Sequence, residues 1–124
     1  MKRNIFIAFL LVLLLLTSCD RENNFGYPYK VTFGREGGTK ICSGTDVCGF
    51  IEIANYNGNG TGTAWKPTDD SIKATYDWLT VKCKKPDVTQ LVMTAAPNHI
   101  GKRRRLYVYG MVDNHSAEIK VVQH

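Results

Sequence analysis

The chain divides into a short apolar block and a longer part in which polar and apolar residues alternate in short runs. Residues 5–16 are all apolar, and from Tyr27 onward runs rich in β-branched and aromatic residues are separated by Gly, Asn, Asp and Pro. No stretch of this longer part sustains the apolar spacing of an amphipathic helix, so strands are predicted instead. The predicted strands are Tyr29–Gly34, Thr39–Ser43, Gly49–Asn55, Ser71–Thr75, Leu79–Lys84, Thr89–Ala95, Arg104–Gly110 and Ala117–Gln123.

The alternation is clearest in the strand predicted over residues 104–110. Successive side chains of a strand point to opposite faces, so this segment has one apolar face and one aromatic and basic face. The first face carries Leu106, Val108 and Gly110, and the second carries Arg105, Tyr107 and Tyr109. Eight short strands with one such half-exposed face predict an all-β sandwich, in which the second face is a candidate surface for a partner.

The N-terminal block has the order of a secretory signal. Lys2 and Arg3 precede the apolar run, which spans about a dozen residues, whereas a membrane-spanning helix requires roughly 20. The run ends at Leu16-Thr17-Ser18-Cys19, which resembles the lipobox of bacterial lipoproteins. The alternative is an ordinary signal peptide followed by a chance cysteine.

The lipobox resemblance implies cleavage after residue 18 and acylation of Cys19. The predicted organisation is a signal peptide over 1–18, a lipidated tether over 19–27 and one domain over 28–124. Two acyl chains would hold the protein stably at a membrane. The expected location is the cell envelope, at the outer membrane. Asp20 and Glu22 resemble acidic surface-export signals, but Arg21 interrupts them, so the surface and periplasmic faces both stay open.

Charge and cysteine content narrow the possible functions. Removal of the signal lowers the formal net charge from +5 by two. This small positive charge is not typical of a nucleic-acid-binding protein. Cys42, Cys48 and Cys83 remain after Cys19, and the turn-rich segment between the first two predicts a Cys42–Cys48 disulfide. The alternative is three separate buried thiols. No metal or cofactor is expected, since no ligand-like spacing of Cys and His occurs.

The glycine- and asparagine-rich segment over residues 55–63 is predicted to be a long flexible loop. A phosphate-binding loop is disfavoured because no helix pattern follows the segment and no Lys-Ser or Lys-Thr pair closes it.

The segment Asp77-Trp78-Leu79-Thr80-Val81 resembles the W-L-x-V signature of BACON domains, which are Bacteroidetes modules named for proposed carbohydrate binding. Segments 33–39, 91–98, 101–108 and 119–123 resemble the strands of that family in the expected order. The resemblance covers essentially Tyr29 to His124 and implies an immunoglobulin-like antiparallel β-sandwich of about seven to eight strands. The three cysteines and the length of the Asn-Gly loop depart from the pattern.

Exposed aromatic residues are the candidate ligand-binding groups. Trp65 lies next to the glycine-rich segment and Tyr56 lies within it, and Tyr107 and Tyr109 would join them if the fold brings the four together. Trp78 is expected to be buried, as aromatic residues within strand-like sequence usually are. The run Lys102–Arg105 is either an anion site or a solubilising strand entry, because alternating residues of a strand cannot all face one way.

The chain is not expected to be an enzyme, because no set of residues predicts catalysis. Asp69 and Asp70 are adjacent and would point apart, and no Ser or Cys has an evident His and acid partner. Ser71 resembles the acceptor of Bacteroidetes O-glycosylation.

The predicted function is a non-catalytic envelope lipoprotein that binds glycans or glycoproteins such as mucin. The alternative is a structural or protein-interaction module of an envelope complex that uses the face bearing Tyr107 and Tyr109.

Overall fold

Nine strands form the part of the chain that the computed structural model describes, which comprises residues 24–66, 68–85, 89–112 and 115–124. The predicted signal peptide and Cys19 lie outside these residues. The strands are β1 (Lys30–Phe33), β2 (Gly38–Ser43), β3 (Phe50–Ala54), β4 (Gly60–Ala64), β5 (Ser71–Tyr76), β6 (Leu79–Lys84), β7 (Gln90–Ala95), β8 (Arg104–Val112) and β9 (His115–Gln123).

The strands form two sheets. One has five strands in the order β1-β9-β8-β3-β4, and the other has four in the order β2-β7-β6-β5. All neighbours are antiparallel except β1 and β9, which run parallel. The predicted all-β sandwich is confirmed, with nine strands instead of seven or eight and with one parallel pair.

The core lies between the sheets and follows the alternation seen in the sequence. On β8 the burial alternates as predicted, with Leu106 and Val108 buried and Tyr107 half-buried on the outer face. Each fully buried aliphatic side chain contributes about 1.5–3 kcal/mol relative to an exposed one. The largest fully buried side chains are Phe33, Ile51, Ile53, Leu79, Val81, Leu91, Met93, Val108, Ile119, Val121, Val122 and Gln123.

The predicted continuous loop over residues 55–63 is wrong, because β4 begins at Gly60 and pairs with β3 as a hairpin. The connecting turn is ordered by Asn55, whose Oδ1 accepts hydrogen bonds from the backbone N–H groups of Asn57 at 2.9 Å and Asn59 at 3.0 Å. The ring of Phe50 lies over Gly62, where a Cβ would stand 2.3 Å from the ring. An edge strand of Gly and Thr has no apolar alternation, so its sequence resembles a loop.

The sandwich begins earlier in the chain than the predicted boundary at residue 28. The side-chain amide of Asn24 is buried and donates to the carbonyl oxygens of Tyr27, Pro28 and Glu118 at 3.0–3.1 Å. Its Oδ1 accepts the backbone N–H of Glu118 at 2.9 Å. Residues 24–27, which the sequence predicts to be part of the tether, therefore belong to the packed domain.

The predicted Cys42–Cys48 disulfide is wrong, because both residues are free, buried thiols. The Sγ of Cys42 on β2 lies 4.0 Å from the Sδ of Met93, whereas the Sγ of Cys48 donates to the hydroxyl of Tyr27 at 3.3 Å. The connection from β2 to β3 crosses from one sheet to the other. Cys42 therefore lies on the four-stranded sheet and Cys48 in the connection that leads to the five-stranded sheet, and the two thiols do not face each other across a hairpin.

Candidate functional site

An open groove of about 410 Å³ lies on the outer face of the five-stranded sheet, near the β3–β4 turn. The pairing register explains its composition, since Tyr109 lies opposite both Glu52 on β3 and Glu118 on β9. The groove is lined by Glu52, Ala54, Asn55, Tyr56, Gly58, Tyr107, Tyr109 and Glu118. It combines aromatic rings with carboxylates on one surface.

Three of the four predicted aromatic residues meet in this groove. Tyr107 and Tyr109 are two positions apart on β8, and both are half-buried on its outer face. Tyr56 is 75% exposed in the β3–β4 turn, and the guanidinium of Arg105 lies 5.2 Å from the centre of its ring. The small, buried side chain of Ala54 lies opposite Tyr107. A small residue at this position leaves the tyrosine rings accessible from the solvent.

Two carboxylates give the groove its polar character. The hydroxyl of Tyr109 donates to Oε1 of Glu118 at 3.3 Å. Burial raises the pKa of Tyr109, and the neighbouring Glu118 carboxylate raises it further. The phenol therefore stays protonated as a hydrogen-bond donor, while the exposed Glu118 and half-buried Glu52 have oxygens that can accept hydrogen bonds from a ligand.

Trp65, the fourth predicted residue, lies elsewhere. It follows β4 at the end of the hairpin away from the turn, packs against the core, and donates from Nε1 to the carbonyl oxygen of Cys48 at 3.0 Å. The ammonium of Lys85 lies 5.2 Å from the centre of its ring. Trp65 is absent from the residues that line the groove, so its contacts indicate a role in packing.

The basic run over residues 102–105 divides between two roles. Arg104 is engaged within the domain: its Nε donates to Oε1 of Gln123 at 2.8 Å, and its guanidinium lies 4.9 Å from the ring centre of Trp78. Trp78 itself is only 6% exposed, as expected from the sequence. Arg103, Arg104, Arg105, Lys120 and Val122 line a second depression of about 390 Å³ beside the groove.

The remaining candidate residues lie apart from the groove. Ser71 is exposed at the start of the edge strand β5. Burial raises the pKa of each of the three thiols, that of Cys83 to about 11, and the Sγ of Cys83 donates to the carbonyl oxygen of Gln90 at 3.1 Å. Such protonated, buried thiols are poor nucleophiles at neutral pH.

Among the residues that the structure describes, His, Cys, Asp and Glu form no group suited to hold a metal ion. Within the same residues, no helix has the length and apolar character needed to cross a bilayer.

Sequence reasoning missed Glu52, Ala54 and Glu118 as residues of the site. Glu52 and Ala54 lie on β3 and Glu118 lies on β9, far apart in sequence, and only the pairing of β8 with both strands brings them beside Tyr107 and Tyr109. The alternation of residues along β3 could have identified Glu52. Glu52 lies between the apolar residues Ile51 and Ile53, which places its side chain on the face opposite to theirs, the outer face of the sheet.

Comparison with known protein families and with curated proteins finds no match for this chain. Among solved structures, the NMR structure of a protein from Bacteroides thetaiotaomicron is similar, with a TM-score of 0.54 and 19% sequence identity. The match covers 78% of this chain and 80% of that chain. At this identity the likeness shows a shared fold and nothing about the ligand.

Proposed function

We propose that this chain is a lipid-anchored protein of the bacterial cell envelope that binds glycans, without catalysis, in the groove formed by Tyr56, Tyr107 and Tyr109. The observation that carries the proposal is the grouping of three tyrosines with Glu52 and Glu118 on one exposed sheet face. The resemblance of the Trp78 segment to BACON domains supports the same class of ligand.

The groove has the two kinds of group that a sugar requires. A pyranose ring has faces of C–H groups that pack against aromatic rings, and its rim carries hydroxyl groups. The rings of Tyr107 and Tyr109 supply apolar area together with polar ends. The carboxylates of Glu52 and Glu118 can accept charge-assisted hydrogen bonds from hydroxyl groups, which are stronger than neutral ones.

The shape of the groove indicates modest affinity. It is open along the sheet instead of enclosing its ligand, whereas tight small-molecule sites bury most of the ligand surface. We expect dissociation constants of about 0.1–1 mM for short oligosaccharides, equivalent to roughly 4–5.5 kcal/mol of binding free energy. Several copies on one membrane would raise the apparent affinity for a polymeric glycan.

The anchor and the domain are close together in this proposal. Because Asn24 is fixed in the sandwich, only residues 20–23 separate it from Cys19. Five residue steps reach at most about 18 Å when fully extended. Lipidation at Cys19 would therefore hold the sandwich near the membrane surface, where envelope or host glycans are encountered.

The test uses the full chain, expressed with its own leader and purified in detergent, on an array of plant polysaccharides, mucin glycans and bacterial envelope glycans. We expect selective retention that Tyr107→Ala and Tyr56→Ala reduce by about tenfold, since each removes one aromatic contact. Trp65→Phe is the matched control, because it alters an aromatic residue outside the groove and should leave retention unchanged.

Two results would contradict this function. The first is an array without any bound glycan, and the second is retention that survives both tyrosine substitutions. If the array is blank, crosslinking in intact cells that recovers one recurrent protein, and loses it in Tyr107→Ala, would favour the protein-interaction alternative. Mass spectrometry of the N-terminal peptide tests the anchor, since an unacylated Cys19 would exclude it.

A further inference from the structure

The tyrosine groove adjoins a second depression that is lined by cations. This depression, of about 390 Å³, lies at the start of β8, where Arg103 and Arg105 are exposed and Lys120 is half-buried. Lys30 on β1 lies beside Lys120 in the register of the sheet. Several positive charges therefore lie close together at one end of an exposed sheet face.

The two depressions have neighbouring lining residues. Lys120 lies opposite Tyr107 in the β8–β9 ladder, and Arg105 precedes Tyr107 by two positions on the same face of β8. The guanidinium of Arg105 also stacks at 5.2 Å on Tyr56, which lines the groove. A ligand that packs on Tyr107 would thus lie within reach of both cations.

Arg104 differs from its neighbours because the fold already occupies its guanidinium. It donates to Gln123, to the carbonyl oxygen of Ala96 at 3.3 Å and to that of Pro97 at 3.2 Å. It therefore holds the end of the sandwich together. The part of the depression suited to a ligand is formed by Lys120 and by Arg105, which is stacked on Tyr56.

We propose that the ligand of the tyrosine groove is an anionic glycan, whose carboxylate or sulfate group is bound by Arg105, Lys120 and Arg103. This inference rests on the proposed glycan function and names the class of glycan. The guanidinium group of an arginine can donate two parallel hydrogen bonds to the two oxygens of a carboxylate or to two oxygens of a sulfate. The ammonium group of a lysine adds a compact positive charge.

The charges along the groove also determine in which orientation the glycan binds. Glu52 and Glu118 lie around Tyr109, and the cations lie around Tyr107 and beyond. Positions two residues apart on a strand are separated by about 7 Å, comparable to the length of one sugar unit. A neutral sugar therefore packs at Tyr109, and the acidic sugar follows it toward Arg105, because the carboxylates repel the anionic group.

The tyrosine rings beside the cations favour a glycan over the glycerol phosphate headgroups of the protein's own membrane, because such a headgroup has no ring that could pack on them. Distance from the anchor does not separate the two ligands. The chain enters the sandwich at Asn24, which is hydrogen-bonded to the backbone of Glu118, two residues before Lys120 on β9. Anionic vesicles are therefore the competing probe in the experiment.

The experiment compares matched pairs of probes by titration calorimetry with the full chain in detergent. The pairs are oligogalacturonate with its methyl ester, and sulfated mucin O-glycans with the same glycans after desulfation. We expect at least one acidic member to bind about tenfold more tightly than its neutral partner, and Arg105→Gln and Lys120→Gln each to remove most of that difference. Raising the salt concentration should weaken the binding of the acidic member of each pair and leave the binding of the neutral member unchanged.

Lys82→Gln is the matched control, since Lys82 is an exposed lysine of the four-stranded sheet, and it should retain the preference. Equal binding of acidic and neutral partners, with the tyrosine variants still weakened, would overturn the anionic site and leave the glycan function standing. If the unsubstituted chain binds none of the glycan probes, the result would contradict both the anionic site and the proposed glycan function. Binding of phosphatidylglycerol vesicles that requires Arg105 and Lys120, without any preference for acidic glycans, would overturn the proposal in favour of a membrane contact.

Discussion

Gln123 offers the sharpest test of how the sandwich is held together. It lies near the end of β9 with none of its surface exposed. Its Nε2 donates to the carbonyl oxygens of Gly34 at 3.1 Å and Ala96 at 2.7 Å, and its Oε1 accepts from Nε of Arg104 at 2.8 Å. One side chain thus joins the end of β9 to the segment after β1 and to the connection between β7 and β8.

Substitution of Gln123 by Ala removes all three hydrogen bonds. Two bonds to neutral carbonyls contribute about 1 kcal/mol each, and one from a charged guanidinium contributes about 2 kcal/mol. The expected loss in the free energy of unfolding is therefore about 3–4 kcal/mol, a large part of the 5–15 kcal/mol typical of a domain. The melting temperature should fall by roughly 12–20 °C for a domain of this size.

The assay is urea denaturation followed by tryptophan fluorescence, which responds to Trp78 because Arg104 stacks on that ring. Gln90→Ala is the matched control, since Gln90 is an exposed glutamine on β7 and surface substitutions typically change stability by less than about 0.5 kcal/mol. If Gln123→Ala were within about 1 kcal/mol of this control, the hydrogen bonds of Gln123 would not carry the stability assigned to them here.

Three further predictions follow from buried contacts. Asn24→Ala should lower the free energy of unfolding by about 2–4 kcal/mol, because it removes the hydrogen bonds that fix residues 24–27, and limited proteolysis should then cut before β1. Gly110→Ala would place a Cβ 2.6 Å from the Sγ of Cys48, so chemical denaturation should show a loss of about 1–3 kcal/mol, most of it recovered in the double variant with Cys48→Ala. The pKa of Cys83 is raised from 9.0 to about 11, so the folded state keeps this proton more tightly than the unfolded chain. The stability from this thiol is complete well below pH 9 and should fall by roughly 2 kcal/mol as the pH rises from 9 to 11, a decline that Cys83→Ala should lessen.

The sequence predicted the strands in which apolar and polar side chains alternate, and it missed β4, in which they do not. In β8 the apolar residues Leu106 and Val108 face the core and the tyrosines face outward, as their spacing indicates. In β4 every outward position is Gly or Ala, so no alternation of hydrophobicity marks the strand. A strand of this kind is specified by the neighbour that pairs with it, which a local pattern cannot show.

The candidate site was partly predictable for the same reason. The alternation on β8 placed Tyr107 and Tyr109 together, and Tyr56 joined them because the β3–β4 turn ends opposite Arg105. Trp65 looked equally exposed in the sequence, but its indole hydrogen bonds to the backbone of Cys48 and packs against the core. Proximity to a glycine-rich segment did not distinguish these two aromatic residues, since their difference arises from contacts distant in sequence.

The sequence by itself determined that the chain is a β-sandwich with one outer face of tyrosines and cations, because period-two alternation is a local property of each strand. The tertiary structure alone decided the rest. It separated Cys42 from Cys48 by placing β2 and β3 in different sheets, and it brought Glu52 and Glu118 to either side of Tyr109. Such neighbours depend on which strands pair and in what register, and that choice is made by the packing of the whole core.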